Sequence, residues 1–153
     1  MSMIRRSLLL LQYDKKTILI YVEAFIRLLQ ARLMLYRKFA RIAPTLGVRS
    51  LETEMSSPTD DYVPIKHVAS AIAAVSRHTP WQSTCLIKAI AGLKMLEERG
   101  IESTLYLGTS KEDDGKLSAH AWLRSGSFYV SGGDMMNRYK VVEKFATRIS
   151  MKR

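Results

Sequence analysis

The chain has 153 residues, one cysteine and a formal charge of +10, with 47% hydrophobic and 25% charged residues. That size fits one domain whose core needs no staples, and the lone Cys85 excludes an internal disulfide and a cysteine-based zinc cluster while fitting a reducing, cytoplasmic setting. The charge is uneven: residues 1–50 carry ten Lys/Arg against two acids, and residues 51–153 carry fourteen against twelve. The basic excess therefore belongs to the N-terminal third, which argues against reading the whole domain as a nucleic-acid binder.

Residues 4–13 predict a short helix. Arg5, Arg6 and the apolar run after them lack a small-residue cleavage site, and Asp14-Lys15-Lys16 interrupts the run, so no secretory signal is expected. The uncharged runs Ser7–Tyr13 and Thr17–Val22 fall far short of the roughly 18 residues of a membrane span. Residues 16–42 predict an amphipathic helix, apolar at Ile18, Tyr21, Val22, Phe25, Leu28, Leu29, Leu33, Leu35 and Tyr36 with a period near that of an α-helix. Pro44 and Gly47 end it. Residues 48–64 read as a polar linker, and residues 65–77 as a second helix that Pro80 stops.

A third helix is predicted over 83–99. Ser83 or Thr84 caps it, Leu86, Ala89, Ile90, Leu93 and Leu96 form its apolar face, and Gly100 takes the left-handed position after it. Three strands follow, Ser103–Leu107, Ala119–Leu123 and Phe128–Val130, the last two joined by a hairpin-length loop. Helices first and an antiparallel meander after them predict an α+β fold with helix 83–99 packed on a small sheet. There is no internal repeat.

Cys85 falls in the first turn of the third helix. The unpaired N–H groups and the dipole there favour an anion, and the thiolate is the nucleophilic form of cysteine. The plain alternative is an inert core thiol. His67 and His78 flank the second helix. His120 lies instead inside an apolar strand, either as a satisfied core histidine or as the imidazole partner of Cys85. Asp134, past the next strand, is either the group that orients His120 or part of a Gly-Gly-Asp turn; Asn137 is a weaker substitute. The backbone N–H of Cys85 and the side chain of Gln82 are candidate oxyanion donors. Trp81 and Trp122 either wall a cleft or belong to the core. The histidines lack metal-ligand spacing and no glycine-rich phosphate motif is present, so no metal or cofactor is expected.

The run from Trp81 through Cys85-Leu86, Lys88-Ala89, Leu96, Gly100-Ile101, Leu105 and Gly108, followed by Ala119-His120-Ala121-Trp122, resembles the transglutaminase-like B2 proteins of lasso peptide biosynthesis. The likeness covers roughly residues 65–145. It implies a transglutaminase-like, papain-like core over residues 48–153 with an N-terminal helical region over 1–47, together one compact domain. It also implies a cysteine peptidase that removes the leader from a ribosomally made precursor peptide, with Cys85, His120 and Asp134 as its triad. The implied partners are the precursor, a separate leader-recognition protein and an ATP-dependent cyclase that closes the macrolactam. Leu123-Arg124 departs from the acidic residue often found after the histidine motif in that family.

Two other readings stand beside this one. The same triad passes an acyl group to an amine in transglutaminases and arylamine acetyltransferases. A non-catalytic binding module would instead use the basic helix to hold a partner and keep Cys85 as core. For helix 16–42 itself the expectation is docking, with Arg27, Arg32, Arg37 and Lys38 meeting an acidic partner. Peripheral contact with a membrane surface stays open.

Overall fold

The computed structural model describes residues 14–56 and 58–149; the short helix expected over 4–13 lies outside them. Helix α1 (Lys15–Met34) begins where the Asp14 carboxylate accepts the Thr17 amide at 2.8 Å. It ends eight residues earlier than its periodicity suggested, and a short α2 (Phe39–Ile42) follows. No glycine or proline marks this break in the sequence. Burial decides it: Ile42 and Leu46 enter the core, and Phe39 turns onto Phe145 with ring centroids 6.2 Å apart.

The stretch expected to be a polar linker does more than connect. Val48–Arg49 forms a two-residue strand, β1, and Thr53 is buried. Helix α3 (Tyr62–Ser76) starts a turn earlier than expected and carries Pro64 within its first turn, where a missing N–H costs nothing. Helix α4 (Cys85–Glu98) is capped by Thr84, whose hydroxyl accepts the Ile87 amide. The three expected strands are present and longer: β2 (Ser103–Lys111), β3 (Leu117–Ser125) and β4 (Phe128–Ser131). The sequence reading missed a fifth, β5 (Lys140–Thr147), which inserts between β1 and β2 to give the order β1-β5-β2-β3-β4, antiparallel throughout. The fold is α+β.

Side chains alternate across a strand, so β2 and β3 present two different faces. Leu105, Ala121 and Leu123 join α4 and the inward side of α1 in one core. A Cβ added at Gly92 of α4 would lie 2.9 Å from Leu123 Cδ2, which identifies the face that α4 covers. The opposite face carries Tyr106, His120, Trp122 and Arg124. Tyr106 and Trp122 are register partners stacked at 5.4 Å.

Arg124 is 1% exposed and anchors the connecting segment. Its Nε donates to Tyr106 Oη at 3.0 Å, Nη1 to the carbonyls of Glu54 and Gly126, and Nη2 to the Thr53 carbonyl at 2.8 Å and to Thr104 Oγ1. Every guanidinium N–H thus meets an oxygen, as a buried cation requires. Burial pushes the Tyr106 phenol up from its ordinary pKa, with the bond from Arg124 acting the other way. Two ion pairs tie α1 to the end of α4: Arg27 to Glu98 at 2.9 Å, and Arg99 to both oxygens of Glu23.

Candidate active site

Cys85 is the first residue of α4, so its backbone N–H has no partner within the helix. The loop before it is fixed by Thr79, whose hydroxyl bonds the Trp81 carbonyl at 2.9 Å and the Ser83 hydroxyl at 2.8 Å. The half-buried thiol sits at a cavity of about 330 Å³ lined by Phe39, Leu86, Leu107, Ala119, Val142 and His120, among others. The walls are apolar side chains from α2, α4 and three strands. Val142 reaches this wall at an irregularity in β5, where Gly108 pairs with Val141 and Leu107 pairs with Glu143, leaving Val142 as the extra residue of a bulge.

His120 lies on the strand that floors this cavity, but its ring belongs to the other face of the sheet. The imidazole stacks on Trp122 at 5.8 Å and tilts against Tyr139 at 5.0 Å. Its neighbours Ala119 and Ala121 line the cavity on the side of Cys85. No hydrogen bond joins the sulfur to either ring nitrogen. Cys85 and His120 both line this cavity. Catalytic bonds are commonly long in unliganded enzymes and tighten on binding.

The His120 ring has one hydrogen bond, from Nε2 to the Gly132 carbonyl at 2.8 Å. A carbonyl only accepts, so Nε2 carries the proton and Nδ1 is the basic nitrogen of the neutral ring. The expected carboxylate partner does not make this contact. Asp134 is exposed, two residues further on, in the 3-10 helix Gly133–Arg138. The cause is local: Gly132 takes φ +72° and turns the chain sharply after β4, bringing its own carbonyl to the ring and carrying Asp134 past it. A neighbouring cavity is lined by Asp134, Lys88 and Tyr129.

The remaining expected site residues are scattered. Gln82 is exposed and makes no hydrogen bond. Trp81 packs on Phe25 of α1 at 5.3 Å, and its indole N–H is buried without a partner. Trp122 is 4% exposed; neither tryptophan is a wall of the cavity at Cys85. His67 and His78 are exposed. Of the basic residues expected to dock a partner, Arg27 is held by Glu98 and Gln30, and it lines with Arg37 a groove of about 710 Å³ between α1 and α4. Arg32 is half-buried in the last turn of α1, and Arg37 and Lys38 are exposed beyond it. Among the described residues, no three His, Cys, Asp or Glu side chains gather as metal ligands would, and no helix is long and apolar enough to cross a membrane.

The sequence reading missed the cavity walls Phe39, Leu107 and Val142, since a bulge and a helix break leave no clear local signal. It did find Gly108. A Cβ there would lie 2.8 Å from the Trp122 ring and 2.9 Å from Tyr139 Cβ, so the glycine of β2 makes room for the tryptophan of the histidine motif.

A helix that opens on a cysteine and lies across an antiparallel sheet is a frame for cysteine acyl-transfer chemistry. The profile of the transglutaminase-like superfamily matches residues 26–144, and the chain belongs to that superfamily, which includes cysteine peptidases and acyltransferases. No curated protein and no solved structure matches the chain significantly.

Proposed function

We propose that the protein is a cysteine peptidase that removes the leader from a lasso peptide precursor. The observation that carries the reading is Cys85, the first residue of a capped helix in a transglutaminase-like chain, standing at an apolar cavity with the strand of His120 beneath it. The motif set from Trp81 to Trp122 supports the finer assignment by its resemblance to the lasso B2 proteins.

With substrate bound and the pair closed, His120 takes the thiol proton and Sγ attacks the scissile carbonyl. The oxyanion faces the free N–H of Cys85. Collapse of the tetrahedral adduct forms a thioester and expels the amine, which His120 protonates. Water, deprotonated by His120, then attacks the thioester, releasing the leader as its carboxylic acid and restoring the thiol. A separate leader-recognition protein would deliver the precursor, and an ATP-dependent cyclase would take up the freed core, all in the cytoplasm.

Transfer of the acyl group to an amine uses the same steps up to the thioester and differs only in the acceptor. Incubating the protein with precursor and leader-recognition protein, then weighing the products, separates the two. Free leader acid and core support the peptidase; an amine-linked adduct supports transfer. Unchanged precursor together with a Cys85 inert to iodoacetamide would leave the binding-module reading.

A further inference from the structure

We infer that the outward face of α1 is a docking surface for an anionic lipid bilayer, on which the protein sits without crossing it. The inward side of this helix is already committed, with Ala24, Leu28 and Ala31 in the core. The opposite side is apolar as well. Ile18, Leu19, Val22, Ile26 and Leu33 recur on it at helical spacing, all exposed, Leu19 by 67% and Leu33 by 54%. A helix that is apolar on both sides is ordinarily covered on both, and a continuous exposed apolar stripe marks an interaction surface. Among the described residues no helix is long and apolar enough to cross a membrane. With one side held in the core, α1 can lie along a bilayer surface but not pass through it.

Charge selects the occupant. From Lys15 to Arg49 the chain holds eight Lys/Arg and one acid, Glu23, which is engaged by Arg99. Lys15 and Lys16 stand at the start of the stripe, and Arg32, Arg37 and Lys38 at its end; among the described residues no acid pairs with those last three. Tyr36, 76% exposed, follows in the turn after α1, where its amide bonds the Leu33 carbonyl. An aromatic ring with a polar tip beside two cations suits the headgroup level of a bilayer. Anionic headgroups meet the cations while the acyl boundary takes the apolar side chains. A second copy fits worse, because whichever way two α1 helices pair, the cations at the ends of one stripe meet cations of the other. A specific protein partner also fits worse. Such interfaces carry about one hydrogen bond per 100–200 Å², and the five side chains of the stripe offer none.

The test is flotation of the full chain with phosphatidylcholine vesicles, with and without phosphatidylglycerol. Wild-type protein is expected to bind the anionic vesicles about tenfold or more better than phosphatidylcholine alone, and salt at about 1 M should narrow that gap. Leu19→Gln with Val22→Gln alters exposed side chains only. Its thermal unfolding and its Cys85 alkylation should match wild type, while binding to anionic vesicles falls by about tenfold or more. Should that variant not fold, Leu33→Gln carries the same comparison. Wild-type protein that stays off anionic vesicles overturns the inference, as does equal binding to both vesicle types. A folded variant that floats like wild type overturns it too. A dimer that forms without lipid and is lost in the double variant assigns the face to a second copy, against the inference. A monomer that ignores both vesicles leaves the face to a protein partner or to residues 1–13 and equally overturns it. None of these outcomes bears on leader cleavage, which is read without vesicles.

Discussion

His120 and Arg124 sit on the same face of β3, one near its middle and one near its end, and are treated in opposite ways. Arg124 is sealed from water and every donor is matched, so it behaves as a rivet between the sheet and the 53–54 segment. His120 is half-buried with one hydrogen bond to a turn and one ring nitrogen uncommitted. A polar group with all its bonds made is worth most as structure, because moving it breaks several bonds in a low-dielectric setting. A polar group with a spare lone pair beside a cavity can still exchange a proton. One strand thus carries a fully bonded arginine and a histidine with a ring nitrogen to spare.

The comparison breaks most sharply around His120. Cys85→Ala should abolish leader cleavage, by roughly 10⁴-fold or more, in a protein that keeps its thermal unfolding transition. His120→Ala should cost roughly 10²–10⁴-fold, whereas His67→Ala and His78→Ala, both exposed, should leave cleavage nearly unchanged. Equal losses at all three histidines, read by product mass, would contradict the reactive role given to His120.

At the arginine, Arg124→Met should lower unfolding free energy by roughly 2–4 kcal/mol, since it strips the donor from three carbonyls and two hydroxyls. Denaturant melts would measure the loss. Alkylation of Cys85 in the folded variant should stay at the wild-type rate, and a parallel fall in both would mean the two sites are coupled.

A smaller effect is expected where the basic N-terminal third meets solvent. Arg32→Glu with Arg37→Glu should slow processing of dilute precursor several-fold at low salt. The defect should fade in 1 M salt, where the Debye length falls from about 10 Å at 0.1 M to about 3 Å. Wild-type rates at low salt would reduce this face to scaffold.

The smallest effect concerns acid stability. The hydrogen bonds from Arg99 hold the Glu23 carboxyl below its ordinary pKa, and Glu23 in turn raises that of Arg99. The stabilisation from a lowered carboxyl pKa is complete above the unfolded value and is lost as pH falls through the folded one. Glu23→Gln should therefore cost about 1 kcal/mol or less at neutral pH, given the pair's partial exposure, and should flatten the decline of stability below that range. Stability measured against pH would show it; an unchanged acid limb would mean the pair contributes nothing.

Much of this molecule was legible in its sequence because the signals are local. Ser83 or Thr84 marked a helix start, of which the structure uses Thr84, the spacing of Leu86, Ile90, Leu93 and Leu96 marked the buried face of α4, and the Ala-His-Ala-Trp alternation marked a strand. β5 was harder: Val141 and Val142 are exposed while Phe145 and Ala146 are buried, and the bulge breaks the alternation that identifies a strand. The helix break after Met34 depends on where Phe39 and Ile42 find cover, which no local propensity encodes. The partner of His120 was the least readable. A sequence displays side chains such as Asp134, but a main-chain carbonyl is common to every residue. Only the turn at Gly132, the register of β3 and the close approach of backbone to ring select which carbonyl the imidazole meets.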